Sequence, residues 1–240
     1  MGNRNIFNNM SNYLILDLLA LLPTFLLSFH KKIEFYKKWK ALLPAIILTA
    51  VFFIGWDIIF TVKAVWGFNP VQVCGRYFFN LPIEELLFFF VVPYSSIFTY
   101  EVIKNFNLNR LPEFLSKSVS LLLIILMGVF AFGFSDRLYT FYVCLLTAVL
   151  LIFFEFILKF SWMNRFYVAF AILLVPFIIM NGLLTSSLMG SVVVWYNPAH
   201  IMGPRLFTIP IEDVFYGLSL ILINIALYEF FLMKKESPGL

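Results

Sequence analysis

Charge is scarce in this chain. Only 12% of its 240 residues are Asp, Glu, Lys or Arg, against about 25% in soluble domains. Hydrophobic residues make up 62%, and the mean hydropathy is +0.94. A soluble globular protein is excluded, and an all-α integral membrane protein is expected, because a helical span needs about 20 mostly apolar residues. Cysteine is nearly absent. Cys74 and Cys144 have neither metal-ligand nor redox spacing, so Cys144 reads as a packing residue and Cys74 as a loop thiol without a role. Of the two histidines, His30 lies at a basic membrane edge and His200 in a polar connection, and no metal is expected. There is no G-x-G-x-x-G fingerprint and no P-loop, so neither a flavin nor ATP is suggested and no cofactor is expected. No Ser-His-Asp arrangement stands out. The formal charge of +4 points to no nucleic acid, since the basic residues fall in loops. Arg4 alone precedes the first apolar run and no small-residue cleavage site follows, so that run reads as a span and not as a signal peptide.

What the chain does contain is a repeat. Asn80-Leu81-Pro82-Ile83-Glu84-Glu85 opens one apolar run, and Thr208-Ile209-Pro210-Ile211-Glu212-Asp213 opens another 128 positions later. The same offset maps Asn69-Pro70 onto Asn197-Pro198, Gly75 onto Gly203 and Tyr100-Glu101 onto Tyr228-Glu229. A register held without a gap over this length marks a tandem repeat. Seven apolar segments are expected to span, at about 13–29, 41–62, 82–103, 118–134, 138–158, 166–188 and 210–232. The offset places the first on the fifth, the second on the sixth and the third on the seventh, while the fourth has no partner. The expected plan is seven transmembrane helices as two parallel three-helix repeats joined by a linking helix (3+1+3), with boundaries at 1–112, 113–136 and 137–240. The single linking span gives both repeats one orientation about a pseudo-two-fold along the membrane normal. Both acidic motifs then lie at one depth on one side. Five basic residues, Arg4, Lys63, Arg76, Arg137 and Arg205, share the N-terminal side, and the other twelve fall opposite. Positive residues favour the cytoplasm, so the N-terminus is expected outside, the C-terminus in the cytoplasm, and the motifs in the outer half of a bacterial cell (inner) membrane.

Two readings of the acids compete. In the first, Asn80 and Thr208 cap helices whose first-turn acids favour the macrodipole by ~0.3–1 kcal/mol. In the second, Glu84, Glu85, Glu212 and Asp213 carry chemistry, because two acids stand where one would cap and ionisable groups within a span default to function. Neighbouring helical residues point ~100° apart, so Glu84 and Glu85 cannot face each other. A proton-sharing pair would form across the repeats, for example Glu84 with Glu212, where like charge and burial hold a proton. Asp57 comes near the same layer. Arg76 and Arg205 would stabilise the carboxylates if they fold inward, although their spacing is 129. Glu101 and Glu229 are expected to pair with interfacial lysines, and Asp17 and Asn224 to make interhelical hydrogen bonds. A subset of the 31 phenylalanines could line a cavity whose aromatic faces attract a cation.

Trp66-Gly67-Phe68-Asn69-Pro70, then Gly75, then Asn80-Leu81-Pro82-Ile83-Glu84-Glu85, closed by Phe98-Thr99-Tyr100-Glu101, resembles the lycopene cyclase domain of the non-flavin type. Residues Trp195 to Glu229, with Asn197, resemble the same domain again. The resemblance implies a lycopene β-cyclase that converts linear carotenoid ends to β-ionone rings without net redox change. A carboxylic acid would protonate a terminal double bond, and a carboxylate would remove a ring proton. The implied partners are lycopene or another linear carotenoid, membrane lipid, and other carotenoid-pathway enzymes. The second repeat carries Asp213 for Glu85, Thr208 for Asn80 and Tyr196 for the Gly-Phe pair. A related carotenoid hydratase, and a small-solute transporter with the 3+1+3 plan of the SWEET sugar transporters, remain alternatives.

Overall fold

The computed structural model describes residues 11–108 and 110–236. Arg4, which the charge count places outside, lies beyond the described residues, as does the side chain of Lys235. The described residues are mostly helical and form seven α-helices: α1 (Asn12–Leu27), α2 (Trp39–Val62), α3 (Ile83–Asn105), α4 (Glu113–Gly133), α5 (Leu138–Leu151), α6 (Met163–Thr185) and α7 (Glu212–Glu236). A π-helical turn, Ile152–Ile157, prolongs α5. Among the described residues six segments, carried by α2 to α7, are long and apolar enough to cross a membrane, while α1 is a shorter apolar helix. These features fit a membrane protein built almost wholly of helices. The α4 helix starts five residues earlier than its hydropathy suggests, because Glu113 and Lys117 pair along its first turns at 2.6 Å.

The long connections hold what the helical expectation omitted, six short strands. In the first lie β1 (Trp66–Phe68), β2 (Tyr77–Phe78) and β3 (Leu81–Pro82), and in the second β4 (Val194–Tyr196), β5 (Arg205–Leu206) and β6 (Ile209–Pro210). Peptide groups outside helices still need partners when water is scarce. Each connection folds one hairpin in the same register, Tyr77 opposite Pro82 and Arg205 opposite Pro210. Gly75 and Gly203 both take positive φ, as do the turn residues Phe79 and Phe207.

The two connections then join each other. Strands β1 and β4 pair antiparallel, Trp66 with Tyr196, Gly67 with Trp195 and Phe68 with Val194. Adding 128 to one member of each outer pair and subtracting it from the other returns the opposite pair, and Gly67–Trp195 returns itself. That self-consistency is the signature of an isologous two-fold contact, with Gly67 and Trp195 on the axis. The 128 register therefore puts Trp195 at the Gly67 position and Tyr196 at the Phe68 position, not Tyr196 in place of a Gly-Phe pair. A Cβ on Gly67 would lie 2.4 Å from the Trp195 ring, so only glycine leaves room for it.

The central helices α3 and α7 touch, α2 packs against both, and α6 stands further from α7 than α2 does from α3. That departure from symmetry leaves a cavity on the α6 side.

Candidate active site

The cavity is lined from six helices and the central strands, with roughly 140 Å3 open to the centre of a water-sized sphere. A single water needs ~10–15 Å3 by that measure, so there is space for about ten. Along α3 the lining residues are Glu85, Phe88, Val92 and Ser96, and along α7 they are Asp213, Tyr216, Gly217 and Leu220. Both sets recur at three- and four-residue steps, as one helix face must. Helix α6 presents Leu173, Pro176, Phe177 and Met180, while Tyr13, Asp57, Tyr139, Trp66 and Tyr196 close the end beneath the connections.

Three buried carboxyls thus share one cavity: Asp57, Glu85 and Asp213. Each is held by phenols. Tyr13 donates to Glu85 at 2.6 Å, and Tyr216 donates to Asp57 at 2.7 Å. Asp213 accepts from Tyr139 at 2.7 Å and from Tyr196 at 2.8 Å. Glu85 and Asp57 also lie in hydrogen-bond reach of each other. One of two hydrogen-bonded carboxyls must carry a proton, because an ionised carboxylate only accepts. Burial, and then the Asp213 carboxylate, hold the Tyr196 phenol well above its ordinary range.

Glu84 and Glu212 do not meet. Each points about a third of a turn from the cavity face and fastens its own connection. Glu84 accepts from the Cys74 backbone N–H at 2.6 Å and from the Ser11 hydroxyl. Glu212 accepts from the Met202 N–H at 2.6 Å and from Thr140 at 2.6 Å. Cys74 and Met202 are again 128 apart, so the Cys74 position is explained by its peptide group. The carboxyl pair lies within the first repeat, Glu85 with Asp57, and not across the repeats.

Of the other candidates, Asn69, Asn197, Arg76 and Arg205 lie in the connections and outside the cavity lining. Asn69 donates its side-chain amide to Val192 O at 3.0 Å, and its backbone N–H to Val193 O at 2.8 Å. Asn197 repeats this with Ala64 O and Val65 O at 3.1 and 2.9 Å. Arg76 and Arg205 are both exposed, and Arg205 acts on Asp213 from the connection. In the hairpin register Arg205 corresponds to Tyr77, and it holds Thr208 O at 2.6 Å while its guanidinium lies 6.0 Å over the Tyr196 ring. Asn80 and Thr208 are not caps. They reach Ile58 O on α2 and Gly182 O on α6 respectively, and α3 has no side-chain cap. At the far end, Glu101 pairs with Lys38 and Lys104, and Glu229 with Lys104 at 2.7 Å, as interfacial pairing leads one to expect. Asp17 and Asn224 depart from expectation, since neither polar atom of either side chain has a partner. For Asp17 the reason is that α1 presents it to other acids.

Sequence reasoning missed the four tyrosines. Tyr196 and Tyr216 occupy positions that are Phe68 and Phe88 in the first repeat, a signal visible in the 128 register. Tyr13 and Tyr139 are 126 apart, so that register hides their equivalence. Among the described residues no cluster of three or more metal-ligating side chains occurs.

A sequence model described as lycopene cyclase matches residues 10–103 and 136–231. The two segments cover most of the chain and fall on α1–α3 and α5–α7, leaving α4 between them. The chain belongs to the lycopene cyclase family, and carotenoid cyclisation is the activity class that this supports. No curated protein and no solved structure matches it.

Proposed function

We propose that this chain is a lycopene β-cyclase that closes linear carotenoid ends to β-ionone rings by proton transfer alone, without a cofactor. The observation that carries the reading is the single aromatic cavity in which the carboxyl pair Asp57–Glu85 faces a separate carboxylate, Asp213, held by two phenols. The pair carries a proton and is the acid. It protonates the terminal double bond, leaving a tertiary cation. The neighbouring double bond attacks, forming the ring carbon–carbon bond and moving the cation into the ring. Asp213 takes the adjacent ring proton, whose bonding electrons become the ring double bond. One proton enters, one leaves, and nothing is oxidised. The faces of Trp66, Phe88, Phe177 and Tyr216 suit the travelling cation, and the apolar walls keep water from trapping it, which is what separates a cyclase from a hydratase. Glu84 and Glu212 take no part in the proton transfers and fasten the connections above the cavity.

The reading includes seven spans in a 3+1+3 plan, divided at 1–112, 113–136 and 137–240. It places the N-terminus outside and the C-terminus in the cytoplasm of a bacterial membrane, with the cavity in the outer half. The membrane supplies the carotenoid, and neighbouring pathway enzymes hand it on. The test is expression in a lycopene-accumulating host. Pigment should shift from red toward orange-yellow, and the chromatogram should show cyclic product. A host that stays red with the protein stably inserted would overturn the reading.

A further inference from the structure

Asp17 has no part in the ring closure described, yet it stands beside it. Tyr13 and Ala20 on α1 both line the cavity, and residue 17, four from one and three from the other, shares their helix face. Asp17 is 1% exposed, and neither carboxyl oxygen has a hydrogen-bond partner. The titratable groups acting on it are Glu84 and Glu85 of α3 and Tyr13 of its own helix, and none is a cation. Buried polar groups nearly always have partners, so an orphaned one calls for an explanation. Folding does not supply it. When Tyr13 is aligned with Tyr139, the matching residue of α5 is Val143, fully buried and apolar. An acid without donors in hydrocarbon keeps its own proton, since a bare charge there is prohibitive.

The ring-closing reading creates a need for such a proton. Each closure takes one proton from the Asp57–Glu85 pair and leaves one on Asp213, so the pair ends one proton short. We infer that Asp17 is a proton-holding positioning residue that reloads the pair through Glu85 between ring closures. Asp17 gives its proton to Glu85 and is refilled from water, while Asp213 releases its proton to water, so the balance over a cycle is zero. This inference rests on the proposed cyclase activity.

The experiment compares Asp17→Asn, Asp17→Val and Asp17→Glu with the unaltered protein in lycopene-containing membranes. With enzyme in excess, the first ring should form at the normal rate in all four. In steady state, Asp17→Asn and Asp17→Val should fall on the order of 10²-fold, the lower end for a general acid–base group. The alkaline limb of their pH profile should move to lower pH, and Asp17→Glu should restore much of the loss. Asp17→Val should insert at equal or greater abundance, since an apolar side chain replaces an orphaned acid. If it fails to accumulate, the isosteric Asp17→Asn decides. Unchanged steady-state turnover and pH profile in Asp17→Asn would overturn the inference. So would equal slowing of the first and later rings with an unmoved pH profile, because that is what a merely structural role gives. Absence of any ring from the unaltered protein would instead remove the cyclase reading, so the two failures are distinguishable.

Discussion

In the first repeat the second acid of the motif, Glu85, meets Tyr13 and another carboxyl, Asp57. In the second repeat Asp213 meets two phenols, Tyr139 and Tyr196, and no carboxyl. The position that holds Asp57 in the first repeat is Thr185 in the second, bonded to Thr208 at 2.8 Å and out of the cavity. One backbone plan thus carries two chemistries, a proton-sharing pair on one side and a doubly held acceptor on the other. On the proposed reading, duplication supplies the two-fold frame and divergence at a few positions separates a donor from a base. A strictly symmetric pair would place like groups on both sides of the cation, and ring closure needs unlike ones.

The largest effect should come from removing either chemistry. Glu85→Gln or Asp213→Asn should lower turnover per molecule by 10²–10⁴-fold, the usual worth of a positioned acid or base, at unchanged membrane abundance. Glu84→Gln and Glu212→Gln should do the reverse. They weaken the hold on Cys74 and Met202, costing about 1–3 kcal/mol of stability, while each inserted molecule keeps near-normal turnover. Product chromatograms normalised to immunoblot abundance separate these outcomes. Equal damage from all four amides would erase the distinction between cavity acids and connection-fastening acids.

A smaller effect tests the asymmetry itself. Tyr196→Phe gives the second repeat the residue of the first, and removes one of two donors from Asp213. A hydrogen bond to a charged group is worth ~1.5–3 kcal/mol, which is roughly 10–10²-fold at 1.36 kcal/mol per decade. Turnover should fall by that factor with the fold intact. The reciprocal Phe68→Tyr should change turnover little, because Glu85 already has its partners. Equal loss from both would mean the cavity treats the repeats alike.

How much of this was legible follows from the same residues. The 128 register is a property of letters, and it carried over to both hairpins, the positive-φ Gly75 and Gly203, and the reciprocal Asn69 and Asn197 bonds. Which of two adjacent acids faces the cavity was not legible, since a 100° rotation of α3 exchanges Glu84 for Glu85 and both readings bury the same hydrocarbon. The wider placement of α6 is tertiary and leaves no mark on hydropathy. The equivalence of Tyr13 with Tyr139 was hidden by the two-residue difference in the chain before each motif.

The two-fold frame can be perturbed on its axis with a more modest result. Gly67→Ala puts a Cβ 2.4 Å from the Trp195 ring. Overpacking of this kind costs about 1–3 kcal/mol, so the midpoint of thermal unfolding in detergent should drop by several degrees. Pairing it with Trp195→Leu should recover most of the loss, because the ring atoms that the new methyl meets are then gone. If the double variant is no better than the single, the strain lies elsewhere than in this contact.

The smallest effect should also be the most even. Asn69 makes one bond more than Asn197, to Ser191 Oγ at 3.1 Å. In a Ser191→Ala background, which removes it, Asn69→Ala and Asn197→Ala each delete one side-chain bond across the axis and one turn bond to Val71 N or Ala199 N, at 3.1 and 3.0 Å. Each bond is worth ~0.5–1.5 kcal/mol net, and both sites are part-exposed, so about 1 kcal/mol apiece is expected. Because the two sets of bonds are related by the two-fold, the costs should match within a few tenths of a kcal/mol. They should add in the double variant, since the side chains share no partner. Unequal costs would mean that the asymmetry reaches beyond the cavity into the frame. Equal costs, alongside unequal Tyr196→Phe and Phe68→Tyr, would confine it to the groups that handle the proton.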